Sequence, residues 1–275
     1  MYKLVVSDMD GSLLNSENKI SSYSKDTIKK AIKQGTIFVL ATGRIYGAAK
    51  VYAKELNLNT PIMACNGGII RHCMDGKILF DVPIEKEACK KTFEFLNDTD
   101  TYFHFYGPDI FYTEKVENES FRYNIWNNSL PKEDRIIIKE VENVYEVLEE
   151  DKIYKILIRC RKDIKRDFYA NELNKISGIT LTSSWFDNFE VCGKNVTKGN
   201  AVRRFAKEKN IQKDEIICIG DNINDISMIE YAGLGVAMGN AEESVKMAAK
   251  YVAPSNDENG VAEVLEKFLL EQPNT

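Results

Sequence analysis

The sequence has few of the features that mark membrane-spanning, nucleic-acid-binding or disulfide-stabilised proteins. No apolar run approaches the ~20 residues that a helix needs to span a bilayer, so no transmembrane segment is predicted. The net charge is −5 and the lysines and arginines are scattered, which gives no basic surface for nucleic acid or an acidic membrane. These absences leave an ordinary globular chain, and 275 residues suffice for one large domain or two.

Cysteine occurs six times, but in no pattern that indicates a disulfide framework. The cysteines stand singly in apolar segments, without a Cys-X-X-Cys pair, and are predicted to be reduced core residues. They are Cys65, Cys73, Cys89, Cys160, Cys192 and Cys218. The first strand begins almost at once, so we expect no cleavable signal segment and predict a cytoplasmic protein.

The most informative segment is a strand that ends in two carboxylates. Residues 3–7 form an apolar, β-branched run, and Asp8 and Asp10 follow it directly, with Gly11 permitting a sharp turn. In an open α/β sheet, ligands bind outside the carboxyl ends of the strands. Two carboxylates that meet there repel each other unless a cation or a shared proton relieves them. The segment therefore predicts a metal site, a proton-transfer pair, or both.

The order of predicted elements divides the chain into two units. Residues 1–83 and 189–275 alternate strands with helices, which predicts a doubly wound α/β domain with a parallel sheet. Within it, Asp75-Gly76 is typical of a hairpin turn. Residues 84–188 mix helices with paired strands, which favours an α+β unit inserted into the first domain. The predicted architecture is thus an α/β core in two sequence segments with a lid-like insert.

Three further sets of polar residues follow strands or begin helices in this core. Residues 42–44 (Thr-Gly-Arg) follow the second strand, residues 198–199 (Lys-Gly) begin a helix, and residues 220–225 (Gly-Asp-Asn-Ile-Asn-Asp) follow a late strand. If these strands are parallel neighbours, all four sets meet at one edge of the sheet. Each set alone has an ordinary explanation as a turn, a solvated side chain or a helix cap. Their joint occurrence favours a site.

The residue types in these sets suit phosphoryl transfer. Three aspartates with no histidine nearby favour Mg²⁺ over zinc, because carboxylates supply hard oxygen ligands. A lysine, a hydroxyl and an amide beside the ion can hold phosphoryl oxygens. One carboxylate can attack phosphorus, and the other can donate and later accept the proton.

These segments also carry a family resemblance. Residues 8–12 (Asp-Met-Asp-Gly-Ser), 41–44 (Ala-Thr-Gly-Arg), 197–199 (Thr-Lys-Gly) and 220–225 resemble the four motifs of the haloacid dehalogenase-like phosphatase superfamily. Ser12 stands where the family usually has threonine, and it keeps the hydroxyl. The insert resembles the C2B cap of the Cof-type subfamily (IIB). The resemblance implies a Rossmann-like core and a Mg²⁺-dependent phosphatase for small phosphorylated metabolites, such as sugar phosphates, pyridoxal phosphate or nucleotide-type monoesters.

The resemblance implies a role for each motif residue. Asp8 is implied as the nucleophile and Asp10 as the general acid/base, with Asp8 ionised and Asp10 protonated at the start. The implied metal ligands are Asp8, Asp10 through its carbonyl, and Asp221. Asp225 is implied to orient Lys198 or a metal-bound water. The implied phosphoryl-binding residues are Met9 through its backbone, Thr42, Gly43, Lys198 and Asn224.

The insert contains candidate substrate contacts. Strand alternation places Tyr102, His104 and Tyr106 on one face, where they either contact substrate or form an ordinary amphipathic surface. Trp126 and Trp185 are interpreted as packing residues. The expected ligand is a small phosphorylated metabolite, and the sequence carries no indication of oligomeric state.

Three other functions remain as alternatives. A phosphomutase would share the fold and the aspartyl-phosphate step. A phosphorylation-switched signalling module is disfavoured by the spacing of Asp8 and Asp10 and by the insert, because a switch needs neither an acid/base nor a lid. A non-catalytic binding protein is disfavoured because the set of catalytic groups is complete.

Overall fold

The computed structural model describes residues 2–162 and 164–270, which contain fourteen strands in two sheets and ten α-helices. Residues 1 and 271–275 of the predicted core lie outside the described residues. The strands are β1 (Leu4–Ser7), β2 (Ile37–Ala41), β3 (Pro61–Ala64), β4 (Ile69–His72), β5 (Ile78–Asp81), β6 (Phe103–Tyr106), β7 (Ile110–Thr113), β8 (Ile137–Glu140), β9 (Lys155–Arg159), β10 (Ile179–Thr182), β11 (Asn188–Gly193), β12 (Ile216–Gly220), β13 (Leu234–Ala237) and β14 (Tyr251–Val252). The helices are α1 (Ser22–Lys33), α2 (Tyr46–Glu55), α3 (Lys86–Asp98), α4 (Asn118–Ser129), α5 (Val144–Glu150), α6 (Arg166–Leu173), α7 (Lys198–Glu208), α8 (Ile226–Tyr231), α9 (Glu243–Ala248) and α10 (Gly260–Leu265).

The first sheet has the order β14-β13-β12-β1-β2-β3-β4-β5 and is parallel from β14 to β3. Strands β4 and β5 form the predicted hairpin at its end. Val5 and Phe38 pack with α1, α2 and α10 on one face, and Leu4 and Val39 pack with α7 and α8 on the other. The sheet is therefore covered by helices on both faces, and the predicted α/β fold is confirmed. We call this unit the core.

The second sheet, of order β10-β11-β9-β6-β7-β8, is antiparallel except between β7 and β8. We call this sheet and helices α3–α6 the cap. On one face of the sheet, Phe93 of α3 lies 5.3 and 5.2 Å from the rings of Phe103 and Phe105. Strand β11 continues to Gly193, so the chain leaves the second sheet beyond residue 188, the predicted boundary.

The topology brings the polar strand ends together. Because β12, β1 and β2 are parallel neighbours, their carboxyl ends place Asp221, Asp8 and Thr42 at the same edge of the core sheet. Gly11 has a φ of +80°, and a Cβ atom at this position would lie 2.3 Å from an oxygen of Asp221. Glycine is therefore required at position 11 both by the backbone conformation and by the approach of Asp221.

Helix α7 begins at the same edge and presents Lys198 as its first residue. Thr197 is the N-cap, and its hydroxyl accepts a hydrogen bond of 3.1 Å from the backbone N–H of Asn200. Capping thus determines where the helix starts, and the start determines where Lys198 enters the site.

The cysteine and hydropathy predictions can be compared directly with the structure. All six cysteines are free; Cys160 is half-buried and the other five are buried. Of the described helices, none is long and apolar enough to cross a membrane.

Replacement of the N-cap tests the link between helix start and stability. Thr197→Ala is expected to lower the free energy of unfolding by about 1 kcal/mol, because the N–H of Asn200 loses its acceptor. Thr197→Ser keeps the hydroxyl and should remain within ~0.5 kcal/mol of the wild type. Urea unfolding followed by circular dichroism measures both. Equal stability of the two variants would contradict the capping role.

Candidate active site

A buried ion cluster lies where β1 ends and α7 begins. The side chain of Lys198 is 1% exposed, and its Nζ lies 2.5 Å from Asp8 Oδ1 and 2.6 Å from Asp225 Oδ1. The other oxygen of Asp225 accepts hydrogen bonds of 3.0 Å from the backbone N–H groups of Asp221 and Asn222. Burial lowers the pKa of Lys198, but the charges of Asp225 and Asp8 outweigh this effect and raise it. The lysine is therefore charged.

Asp221 completes a group of three buried carboxylates. Oxygen atoms of Asp8, Asp221 and Asp225 lie within 4.8 Å of one another. Ser12 donates a hydrogen bond of 2.7 Å to Asp221 Oδ1, so the hydroxyl at this position is used. Burial, followed by the charge of Asp225, raises the pKa of Asp221 to about 7. Because a cation would relieve this repulsion, the cluster can hold a metal ion.

Asp10 is paired with Arg44, a residue to which the sequence analysis assigned no role. The guanidinium binds both carboxylate oxygens, with 2.8 Å between Arg44 Nε and Asp10 Oδ2. Burial raises the pKa of Asp10, but the charge and hydrogen bonds of Arg44 outweigh it and lower the pKa. Burial and the charge of Asp225 raise the pKa of Asp8, although Lys198 lowers it. Arg44 therefore favours the ionised form of Asp10.

The predicted phosphoryl-binding residues surround this cluster. Thr42 is fully buried, and its hydroxyl accepts a hydrogen bond of 3.1 Å from the backbone N–H of Arg44. Gly43 lines the cleft above the cluster. The side chain of Met9 is buried in the hydrophobic core, which leaves its backbone for the predicted role. Asn224 also lines the cleft, and its Oδ1 atom is buried without a hydrogen-bond partner among the described residues.

A cleft of about 470 Å³ lies between the core and the cap, with Asp8 and Asp10 in its lining. The cap contributes His104 and Tyr106, which lie on the same face of β6 as predicted. Both nitrogens of His104 have partners, Tyr102 Oη at 3.3 Å and Tyr106 Oη at 3.1 Å. Burial lowers the pKa of His104, so the ring is neutral. Tyr102 itself lines a separate surface cavity and contacts His104, which lines the cleft.

The two tryptophans differ in their surroundings. Trp126 is partly buried against Tyr123 and also lines the cleft. Trp185 was also interpreted as a packing residue, but its side chain is 56% exposed and it lines the cleft. Its neighbour Phe186 is also exposed, since both residues lie in the loop that joins β10 to β11.

The cleft also contains a buried ion pair that the sequence analysis missed. Lys155 of β9 and Glu190 of β11 are 2% and 1% exposed, and Lys155 Nζ lies 2.8 Å from Glu190 Oε1. Glu190 accepts a further hydrogen bond from Ser184 at 2.7 Å and one from Asn66 of the core at 2.6 Å. The available signal was a charged residue between two apolar neighbours, Lys155 between Tyr154 and Ile156 and Glu190 between Phe189 and Val191.

Asn66 joins this pair to the ion cluster. Its carbonyl oxygen accepts a hydrogen bond of 3.2 Å from the side-chain amide of Asn224. The backbone that presents it is left-handed at three successive residues, with φ values of +51° at Cys65, +58° at Asn66 and +90° at Gly67. Polar side chains of the cap and of the core are therefore linked directly.

Comparison with known proteins identifies similar chains along almost the whole length. A family model described as haloacid dehalogenase-like hydrolase matches residues 5–265. The phosphatase YwpJ of Bacillus subtilis (strain 168) is 30% identical, with 97% of this chain and 100% of that protein covered. The 5-amino-6-(5-phospho-D-ribitylamino)uracil phosphatase YwtE of the same organism is 29% identical, with 97% and 98% covered.

A solved structure shows the same arrangement of strands and helices. It is a haloacid dehalogenase-like hydrolase from B. subtilis, which superposes with a TM-score of 0.86. The two chains are 27% identical, and the match covers 97% of this chain and 100% of that one. The similarity therefore extends across both the core and the cap.

The ion cluster leads to a prediction about stability that can be tested without an activity assay. Asp225→Asn is expected to lower the free energy of unfolding by about 2–4 kcal/mol, because an amide cannot accept from Lys198 and both backbone N–H groups together. Asp26→Asn, on the exposed face of α1, is the matched control and should change stability by less than ~0.5 kcal/mol. Denaturant unfolding measures the stability of both variants. An equal loss of unfolding free energy in the two would contradict the structural role of Asp225.

Proposed function

The chain belongs to the haloacid dehalogenase-like hydrolase family, and from this premise we propose that it is a Mg²⁺-dependent phosphatase acting on phosphate monoesters of small metabolites. The observation that carries the proposal is the ion cluster, in which Lys198 bridges Asp8 and Asp225 while Arg44 holds Asp10 beside it. Phosphoryl transfer through an enzyme-bound intermediate requires a carboxylate nucleophile, a second carboxylate for proton transfer and buried positive charge.

The residues at the cluster fit a hard divalent cation. We propose Asp8, Asp221 and the backbone carbonyl of Asp10 as protein ligands of Mg²⁺. Support comes from the packing of the carboxylates and the raised pKa of Asp221. Both oxygens of Asp225 already accept hydrogen bonds, so Asp225 orients Lys198 and is not a ligand. When bound, Mg²⁺ supplies positive charge that stabilises ionised Asp8 and the transferring phosphoryl group.

In the proposed first step, Asp8 attacks phosphorus, the ester P–O bond breaks, and an aspartyl-phosphate forms. Asp10 takes up a proton from solvent once its carboxyl group separates from Arg44, and it gives that proton to the leaving oxygen. Lys198 balances charge on Asp8 and on the phosphoryl oxygens. The proposed phosphoryl-binding groups are the backbone of Met9 and Gly43 and the side chains of Thr42, Lys198 and Asn224.

In the second step, water attacks phosphorus, and Asp10 accepts its proton. The ion pair with Arg44 supports this step, because it holds Asp10 in the ionised form that a base requires. Cleavage of the acyl phosphate releases inorganic phosphate and restores the carboxylate of Asp8. Arg44 is therefore proposed as the positioning residue for Asp10.

The cap is proposed to select the leaving group. Tyr106 and His104 line the cleft and are candidate substrate contacts, whereas Tyr102 orients His104. A cleft of about 470 Å³ suits a small metabolite. The relative YwtE of B. subtilis is named as a phosphatase of a phosphorylated ribitylaminouracil, which is a small metabolite.

Release of inorganic phosphate from a panel of small phosphate esters, with Mg²⁺ present, tests the proposal. The wild type is expected to turn over several esters. Asp8→Asn should lower turnover by at least about 10³-fold with unchanged thermal unfolding, because it removes the nucleophile. Appreciable activity in this variant would overturn the assignment of Asp8.

The same assay separates the alternative functions. Conversion of a sugar phosphate to its isomer without phosphate release indicates a phosphomutase. A stable phosphoprotein without turnover indicates a signalling switch. Binding of esters without either reaction indicates a non-catalytic protein, and each of these three results contradicts the proposal.

Removal of the metal is expected to abolish activity reversibly. Excess EDTA should abolish the phosphatase activity of the wild type, and Mg²⁺ added in excess of the EDTA should restore that activity. Asp221→Asn should raise the Mg²⁺ concentration needed for half-maximal activity, because one charged ligand is lost. A second readout is the Mg²⁺-dependent rise in the midpoint of thermal unfolding, which the variant should lose. Activity that survives the chelator would exclude the metal.

A further inference from the structure

The mechanism proposed above leaves one buried cation in the cleft unused. We propose that Lys155 is a specificity-determining residue, whose ammonium donates a hydrogen bond to a hydroxyl group of the leaving group close to the ester oxygen. The proposal rests on the phosphatase function and names the residue that would favour hydroxylated leaving groups over plain alkyl ones. Glu190 holds Lys155 in place for this contact.

The register of the cap sheet directs Lys155 toward the core. In β9, Ile156 packs in the apolar cluster of the cap, so its neighbour Lys155 lies on the opposite face. Tyr106 is the residue opposite Lys155 in β6, and both side chains line the cleft. Lys155, Tyr106 and Glu190 therefore form the roof of the cleft.

Lys155 lies directly above the loop that follows β2. A Cβ atom built on Gly43 would lie 3.2 Å from Lys155 Nζ, so the ammonium faces the open side of this glycine. Gly43 is one of the proposed phosphoryl-binding residues, and Asp10 lines the same cleft. An ester bound with its phosphoryl group at Gly43 would therefore present the first carbons of its leaving group to Lys155.

The ammonium has hydrogen-bonding capacity that the protein does not use. A lysine carries three N–H donors, and within residues 2–162 and 164–270 the acceptor bonded to Lys155 Nζ is Glu190 Oε1. The ring centre of Tyr106, at 5.3 Å, is the aromatic contact of the ammonium. Donors that are 98% shielded from solvent yet lack acceptors are costly. A ligand oxygen in the cleft would satisfy them.

The net charge of the Lys155–Glu190 pair indicates what kind of ligand oxygen the ammonium would bind. Glu190 neutralises Lys155, so the pair as a whole attracts no additional anion. Glu190 already accepts hydrogen bonds from Lys155, Ser184 and Asn66, which occupy most of its acceptor positions. What remains is a set of N–H donors directed at a neutral acceptor. A hydroxyl group on a carbon near the ester meets this description, whereas a plain alkyl chain does not.

Two esters of equal chain length test the proposal. Glycerol 3-phosphate carries hydroxyl groups next to the ester carbon, and n-propyl phosphate carries none. We expect the wild type to prefer glycerol 3-phosphate by kcat/KM. The double variant Lys155→Met/Glu190→Gln should reduce this preference about tenfold or more, because a hydrogen bond from a charged donor is lost. Changing both residues avoids an unpaired buried charge.

The matched control removes an ion pair that lies outside the cleft and joins the cap to the core. Lys152 Nζ lies 3.0 Å from Asp81 Oδ2, and the two side chains are 64% and 26% exposed. Lys152→Met/Asp81→Asn makes the same change in charge and should leave the preference unchanged within about twofold. If the variant Lys155→Met/Glu190→Gln lost the same factor in kcat/KM with both esters, the pair would act on the phosphoryl group or on cap closure. That result, or an unchanged kcat/KM with both esters, would overturn the proposal.

A crystal structure tests the role of Lys155 if the double variant does not fold or if the wild type releases no phosphate. A crystal structure of Asp8→Asn with glycerol 3-phosphate is expected to show Lys155 Nζ within hydrogen-bonding distance of a glycerol hydroxyl. An ammonium bonded to Glu190 alone, or to phosphoryl oxygens alone, would overturn the proposal. Absence of phosphate release by the wild type counts instead against the phosphatase function, so the two failures are distinguishable.

Discussion

The buried contact between Lys198 and its two carboxylates is the interaction on which the site depends. Transfer of three charged groups out of water is expensive, and it is tolerated only when each charge has close partners. Lys198 provides the positive charge, and the backbone N–H groups of Asp221 and Asn222 complete the coordination of Asp225. This requirement restricts the nearby backbone. A Cβ atom on Gly220 would lie 2.4 Å from the Cβ of Asp225, so a larger residue cannot occupy that position.

The site extends beyond this cluster because the cap contributes charged groups of its own. Glu190 of the cap bonds Asn66 of the core, and Asn66 bonds Asn224 in the loop that carries Asp221 and Asp225. The cap is thus connected to the proposed catalytic residues through polar side chains as well as through apolar packing. In such a network the loss of one member leaves others unsatisfied, so its members are expected to act together.

The position of the site could be predicted from the sequence, because it depends on local features. Strands that end in Asp8, Thr42 and Asp221 are readable from short segments, and parallel pairing then places them together. The pairing of Arg44 with Asp10 and of Lys155 with Glu190 could not be predicted, because each partner lies 34 or 35 residues away.

The interruption of the core by the cap also determines the order in which a ribosome completes the site. Asp8 emerges early, but Lys198 follows it by 190 residues, and β12 must be made before β1 gains its second neighbour. During that interval the nascent chain has an apolar strand with one open edge, which is a template for wrong pairing. The cap, which is continuous in sequence and has its own apolar cluster, can collapse meanwhile. The site can therefore be completed only after the whole cap has been synthesised between the two halves of the core.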